Sequence, residues 1–257
     1  MTTGVSGKTG ETRAGARALL LSLLDEAVAA AHPDVCLPPH LPAAPERGRL
    51  LVVGAGKAAA AMAVAVEAHY RAQGAIERVT GFTTAPHGTA EALPGPRLGL
   101  SSAIGIVSAR HPTPDDASLR AAAETLALVR SATRDDLVLV LLSGGASSLW
   151  AAPASGLDLT GKMALTRGLL KSGADIHEMN LVRRHLSRIK GGRLRKATAA
   201  PMLTLAISDV PGDDPATIGS GPTVADATTL AEAQAVLAHH LPRMQALGID
   251  VPPAVAA

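Results

Sequence analysis

The chain has 257 residues, of which 47% are hydrophobic and 1% aromatic, and its formal net charge is +2. This length suits one large α/β domain or two modest ones, with a core built from Ala, Val, Leu and Ile. The near-neutral charge argues against a nucleic-acid or membrane-surface protein. Three aromatic residues are also too few for a base-stacking surface.

The single cysteine, Cys36, excludes a disulfide framework or a cysteine-based zinc site within one chain. The first twelve residues are polar and lack the hydrophobic core of a signal peptide. The apolar run Leu19–Leu24 is too short to span a membrane. The sequence therefore predicts a cytoplasmic protein.

The predicted elements alternate between strands and helices along the chain. A disordered tail over residues 1–12 precedes a helix that ends before Pro33. The alternation predicts a Rossmann-like, mainly parallel sheet in three α/β/α layers, forming one domain over 13–241. Strands are expected at 49–53, 76–83, 103–108, 137–142 and 202–207, and helices at 13–31, 58–72, 114–130, 160–172, 175–190 and 229–240.

The most informative stretch is the apolar run Leu137–Leu142, which leads directly into Ser143-Gly144-Gly145-Ala146-Ser147-Ser148. An unbroken apolar run is typical of a central strand covered on both faces. Glycines at its carboxyl end allow a ligand to approach the backbone, and the serines add hydrogen-bond donors. The segment 143–148, called the SGGASS turn below, therefore predicts an anion site, and an ordinary strand-to-loop turn is the alternative.

A second glycine-rich turn follows the first strand. Its sequence, residues 54–59, matches the dinucleotide pattern G-x-G-x-x-A. That pattern needs an acidic residue at the end of the next strand to hold a ribose, but Glu77 stands at the beginning of that strand. Lys57 instead favours a phosphate at a helix start. A dinucleotide site and a plain tight turn remain the alternatives.

Three carboxylates follow the last predicted strand in Ser208–Asp214. Mg²⁺ prefers oxygen ligands of this kind, together with phosphate oxygens from a substrate. We expect Asp209 to be functional because it stands at the strand end. Asp213 and Asp214 could equally cap the next segment.

Other polar segments give weaker signals. The basic segment 180–192 ends in Lys190-Gly191-Gly192, which suits an anionic ligand or the C-terminal dipole of a helix. His111, between prolines, is more often structural than a general acid or base. The run Gly156–Met163 nearly matches a P-loop but has Met163 in place of the magnesium-binding hydroxyl.

Together, the runs GAGKA, HPTPD, SGGASSL, DIHEMNLVRRHLSRIKGG and AISDVPGDDPATIGSGPTVAD resemble the glycerate 2-kinase family, whose longer members end in a MOFRL domain. The resemblance extends from Arg13 to His240. It implies ATP- and Mg²⁺-dependent phosphorylation of D-glycerate at its 2-hydroxyl, which gives 2-phosphoglycerate. Lys57 matches the family lysine and Asp209 the family aspartate, and both are expected to be catalytic.

The remaining expected roles follow from the glycine, serine and carboxylate patterns described above. Metal binding is assigned to Asp209 and Asp213. Contacts with the nucleotide or its phosphates are assigned to Gly54, Gly56, Ser143, Gly144, Gly145, Ser147, Lys190, Gly191 and Gly192.

The resemblance also predicts a partner. Residues 242–257 are expected to form a linker towards a MOFRL-like C-terminal domain that is absent from this chain, so a second domain or chain would complete the cleft. A homodimer is left open. The alternative functions are a phosphosugar-binding or isomerase-type domain and a catalytically silent binding module.

Overall fold

The computed structural model describes residues 6–89 and 102–249. Five strands in these ranges form one parallel sheet in the order β3-β2-β1-β4-β5. All five were predicted, and the predicted α/β fold class is confirmed. The strands are β1 (Leu50–Ala55), β2 (Val79–Pro86), β3 (Ile104–Ala109), β4 (Leu137–Ser143) and β5 (Met202–Ile207).

The middle strand β1 and its neighbour β4 are apolar on both faces because helices cover both faces of the sheet. Leu51 of β1 and Val140 of β4 belong to one hydrophobic cluster, whereas Leu50 and Leu139 belong to the other. This division by alternate residues confirms that the two strands are central.

Helices pack on both sides of the sheet. The helix α3 contributes Met62 and Val66 to one cluster, and α4 contributes Leu126 to the other. The last three helices form a separate cluster around Leu165, Val182 and Met244. The helices are α1 (Ser6–Ala30), α2 (Pro33–Cys36), α3 (Ala59–Ala72), α4 (Asp116–Arg130), α5 (Ala146–Leu149), α6 (Leu159–Ser172), α7 (Ile176–His185) and α8 (Leu230–Ala246).

Several predicted boundaries differ from the structure. The helix α1 begins at Ser6, inside the predicted disordered tail. The SGGASS turn contains the short helix α5. The helix α8 continues through Pro242 into the predicted linker, because Met244 is buried against α6 and α7. The ends of the chain, residues 1–5 and 250–257, lie outside the described residues.

The prediction that α7 reaches Lys190 is wrong. The helix ends at His185, and Ser187 then pairs with Pro153 in an antiparallel bridge. The amide of Arg188 also donates to the carbonyl of Ala152 at 2.8 Å. Because these contacts pull the chain back towards the segment after β4, Lys190 lies in a loop beside the SGGASS turn. No helix of the described residues is long and apolar enough to cross a membrane.

A buried carboxylate joins the starts of β1 and β4. Asp136 is 3% exposed and accepts hydrogen bonds from the backbone and side chain of Arg49 and from Thr133. The Arg49 side chain, together with these other donors, holds the pKa of Asp136 well below its usual range. The stabilisation is therefore present above the unfolded pKa of about 3.9 and is lost as the pH falls towards the folded pKa.

We expect Asp136→Asn to lower the free energy of unfolding by about 2 kcal/mol near neutral pH, because hydrogen bonds to a buried charge are lost. The variant should also lose part of the acid dependence of stability. Urea unfolding at about pH 7 and about pH 3 measures both effects. The exposed neighbour provides the control: Asp135→Asn should behave as the wild type, and equal losses in both variants would contradict this role.

Candidate active site

The sheet reverses its strand order between β1 and β4. The chain passes from β1 to β2 and β3 on one side, and from β4 to β5 on the other. In open parallel sheets, ligands bind outside the carboxyl ends of the strands at such a reversal. The turn Gly54–Lys57 and the SGGASS turn follow these two strand ends.

Hydrogen bonds fasten the two turns to each other. The amide of Lys57 donates to the carbonyl of Gly144 at 2.8 Å, and the amide of Ala58 donates to Oγ of Ser143 at 3.0 Å. Ser143 is 3% exposed, so its buried hydroxyl links the two turns. The side chain of Lys57 is exposed above them.

Side chains from the other strand-end loops lie against two glycines of the SGGASS turn. A Cβ on Gly144 would overlap Oδ2 of Asp209. Gly145 has a left-handed φ of 89°, and a Cβ there would lie 2.8 Å from Nε2 of His111 and 3.5 Å from Cγ of Lys57. Glycine is therefore needed at position 145, whereas a Cβ at position 144 would displace the carboxylate of Asp209. The loops that follow β1, β3, β4 and β5 therefore meet at this edge of the sheet.

The charges at this edge are of mixed sign. Lys57 and Asp209, both exposed, stand on either side of the glycine pair. Burial and the positive charge of Lys57 lower the pKa of His111. Its imidazole is therefore neutral at neutral pH and is able to accept a proton or a hydrogen bond.

The three carboxylates after β5 lie in three different surroundings. Asp214 accepts hydrogen bonds from the amide of Ala216 and the hydroxyl of Thr217, and Thr217 lowers its pKa. Asp213 lines a pocket on the β5 side together with Thr204. The described residues contain no group of three acidic, histidine or cysteine side chains able to hold a metal. Asp209 stands next to the glycines as an exposed carboxylate, which suits Mg²⁺ because this ion takes one or two carboxylates plus phosphate oxygens.

In the segment Lys190–Gly192, the side chain of Lys190 holds the SGGASS turn in place. Nζ of Lys190 donates to the carbonyl of Ser147 at 3.0 Å, to its Oγ at 2.7 Å and to the carbonyl of Gly219 at 3.3 Å. The amides of Gly191 and Gly192 donate to Ser220 and Gly221. These two glycines bind other parts of the chain, and their contact with a ligand stays a prediction.

A domain family described as "Domain of unknown function (DUF4147)" matches residues 19–251. The chain belongs to this family. It is 37% identical over 220 residues to a protein of Thermotoga maritima named D-glycerate 2-kinase, covering 85% of this chain and 50% of that protein. It is also 48% identical over 238 residues to a protein of Agrobacterium vitis named "Putative hydroxypyruvate reductase", covering 92% of this chain and 50% of that protein.

The fold of this DUF4147 domain matches a solved structure. The crystal structure of a glycerate kinase from Thermotoga maritima superposes with a TM-score of 0.77 at 33% identity, covering 94% of this chain and 54% of the other. The resemblance to glycerate 2-kinases inferred from the motifs is confirmed. The chain spans about half the length of the curated relatives it matches.

The dinucleotide alternative receives no support from the geometry. Glu77 lies in a short turn over Ile76–Arg78, before β2 begins. Because β1 and β2 are parallel and Ala55 pairs with Thr84, Glu77 lies at the opposite end of the strands from the glycine turn. The end of β2 is Thr83-Thr84-Ala85-Pro86, which offers no carboxylate to a ribose.

Two cations near this site were not singled out from the sequence, although Arg183 belongs to the basic segment 180–192. Nη2 of Arg183 donates a short hydrogen bond to Oγ of Ser147. Lys162, dismissed with the P-loop-like run, is 8% exposed. The spacing of Lys162, Leu165 and Leu169 does place the lysine on the buried face of a helix, and this was the available signal.

Proposed function

We propose that this DUF4147 domain carries the phosphoryl-transfer site of a glycerate 2-kinase, which phosphorylates the 2-hydroxyl of D-glycerate with ATP and Mg²⁺. One observation carries the proposal. A lysine, an aspartate and a two-glycine turn from three different strand ends meet at the reversal point of the sheet. Phosphoryl transfer needs this combination because its catalysis consists mainly of positioning and charge stabilisation.

Each group has a proposed task. Lys57 neutralises negative charge on the phosphoryl group as the substrate oxygen bonds to phosphorus and ADP leaves. The backbone of the turn around Gly144 and Gly145 receives phosphate oxygens, with the side chains of Asp209 and His111 lying against the two glycines. Asp209 holds Mg²⁺ or orients the 2-hydroxyl. His111, beside Gly145, accepts the hydroxyl proton.

The residues present fit both proposed cofactors. Lys57 offers an exposed positive charge to phosphate oxygens beside the glycine pair, and Asp209 offers the single carboxylate that Mg²⁺ needs beside those oxygens. Bound Mg²⁺ would supply charge neutralisation on the ATP phosphates. Asp213 is a less favoured ligand because it lines the pocket on the β5 side.

The rest of the assembly belongs to the same proposal. Longer glycerate 2-kinases carry a second domain, and we infer that such a domain closes the cleft, in the same polypeptide or as a separate one. A cytoplasmic location agrees with the single free cysteine, Cys36.

Reduction of hydroxypyruvate is the second candidate, favoured by the name of the Agrobacterium vitis relative. It requires a nicotinamide dinucleotide, and the end of β2 lacks the carboxylate for its ribose. A phosphosugar-binding domain is a third candidate, and it predicts binding of sugar phosphates without any need for a metal.

Isothermal titration separates the three candidates. We expect binding of ATP that is at least tenfold tighter with Mg²⁺ than with EDTA, and no binding of NADH or of a sugar phosphate such as glucose 6-phosphate. A spectrophotometric assay of NADH oxidation with hydroxypyruvate should show no turnover. Metal-independent binding of sugar phosphates, or reduction of hydroxypyruvate, would contradict the proposal.

A further inference from the structure

A pocket of about 420 Å³ lies on one face of β5. Thr204, Ala206 and Ser208 form one side of it, because alternate residues of a strand point to the same face of the sheet. Asp213 and Ile218, from the segment that follows β5, line it as well. The volume lies in the usual range for small-ligand sites, about 300–1,000 Å³. This cavity is called the β5 pocket below.

The β5 pocket adjoins the proposed phosphoryl-transfer site. Ser208, which lines the pocket, directly precedes Asp209, and the carboxylate of Asp209 lies against Gly144. Leu142 of the neighbouring strand also lines the pocket, and it leads through Ser143 into the same glycine. A ligand whose phosphate groups lie at the glycine pair is therefore able to extend past Asp209 into the pocket.

The lining of the β5 pocket suits a neutral group that forms hydrogen bonds. Ala206 is exposed and Ile218 lies across from it, so the pocket offers apolar surface. The hydroxyl of Thr204 donates to Oγ1 of Thr223 at 2.9 Å, which leaves the hydroxyl hydrogen of Thr223 for another acceptor. Among the described residues that line the pocket, Asp213 alone is charged. A negative charge therefore disfavours an anion such as glycerate there and favours a group that donates hydrogen bonds.

Asp213 has an unusual backbone conformation. Its φ of 53° is left-handed, a region that few residues other than glycine adopt. Its amide donates to the carbonyl of Val210 at 3.0 Å, which fixes the turn. Strained residues of this kind are frequent where ligands bind. The neighbouring Asp214 accepts hydrogen bonds from Ala216 and Thr217 instead, so Asp213 is the carboxylate of this loop that is presented to the pocket.

We propose that the β5 pocket binds the nucleoside of the phosphoryl donor, with the base against Ala206 and Ile218 and the ribose hydroxyls donating to Asp213. The placement rests on the proposed function, because it requires a nucleotide whose phosphates lie at Gly144 and Gly145. Acidic side chains accept hydrogen bonds from ribose hydroxyls in the same way in dinucleotide sites. Asp213 thus contacts the donor and not Mg²⁺.

The test is isothermal titration of the chain with Mg-ATP and with Mg-tripolyphosphate, which has three linked phosphates but no nucleoside. We expect the wild type to bind ATP about tenfold or more tightly than tripolyphosphate. Ala206→Leu fills the pocket from an exposed position, so it should lower the affinity for ATP about tenfold and leave that for tripolyphosphate unchanged. Ala199→Leu is the matched control, because Ala199 is exposed but lies before β5, and it should bind both as the wild type does.

A second variant tests the contact with the ribose. Asp213→Gly removes the carboxylate, and glycine suits the left-handed φ. We expect the wild type to bind 2′,3′-dideoxy-ATP about tenfold more weakly than ATP, because the hydroxyls that donate to Asp213 are missing. Asp213→Gly should bind the two nucleotides alike. If Asp213 only shaped the loop, the variant would weaken both nucleotides and keep their ratio.

Equal affinity of the wild type for ATP and tripolyphosphate, or equal affinities of the two leucine variants for ATP, would overturn the placement. Weaker binding of ATP after addition of the remaining half of a longer relative would also overturn it, since the pocket would then be an interface between the halves. The titrations need no turnover. A chain that binds ATP through the pocket but phosphorylates no D-glycerate would contradict the proposed function and leave the nucleoside site standing. Turnover with an unchanged KM for ATP in Ala206→Leu would do the opposite.

Discussion

Lys57→Met is expected to reduce the rate of D-glycerate phosphorylation by a factor of about a hundred to a thousand. Methionine keeps much of the length of the side chain but removes the positive charge beside Gly145. Loss of one preorganised charge contact in a phosphoryl or acyl transfer site has about this size, or about 3–4 kcal/mol of transition-state stabilisation. Because Lys57 is exposed, the fold should be retained.

The measurement is the rate of ADP formation from ATP and D-glycerate. It is made on this chain and on the chain mixed with the remaining half of a longer relative. Lys196→Met, at an exposed position away from the strand-end loops, serves as the control and should keep the wild-type rate. Unchanged turnover in Lys57→Met would remove Lys57 from the proposed mechanism.

Asp209→Asn is expected to lower kcat by about a hundredfold or more, because its carboxylate is the charged group closest to the glycine pair. The same variant distinguishes the two roles proposed for Asp209. If it holds Mg²⁺, the Mg²⁺ concentration for half-maximal rate should rise at least tenfold. If it orients the 2-hydroxyl, the Mg²⁺ dependence should be unchanged while the rate falls.

Asp214→Asn is the matched control in the same loop. Asp214 accepts hydrogen bonds from Ala216 and Thr217, so the substitution should affect local stability more than turnover. A rate loss of less than about threefold is expected, which corresponds to less than about 0.7 kcal/mol. Equal losses in Asp209→Asn and Asp214→Asn would show that the loop as a whole, and not the carboxylate of Asp209, supports activity.

The strands and their polar ends could be predicted because both signals are local. An unbroken apolar run such as Leu137–Leu142 specifies a strand covered on both faces, whatever its partners are. The parallel arrangement then brings Lys57, Gly144 and Asp209 to one edge without any knowledge of the loops. The convergence of these loops therefore follows from the parallel order of the strands alone.

The contacts of Lys190 with Ser147 could not be predicted in this way, because they depend on where the chain turns back. The helical pattern of 175–190 gives no sign that α7 ends at His185, since the end is imposed by pairing with Pro153 and Ala152. Only this turn brings Lys190 under Ser147. Likewise, the periodicity that buries Lys162 does not reveal which charges it faces.

The bonds between the two glycine turns also determine which parts of the cleft can move. The amides of Lys57 and Ala58 donate to the carbonyl of Gly144 and to Oγ of Ser143. The backbone of Lys57 and the SGGASS turn therefore form one unit at the ends of β1 and β4. Asp209 arrives on a separate loop after the edge strand β5. A rearrangement within this domain would therefore change the distance between Asp209 and the glycines more readily than the distance between Lys57 and the glycines.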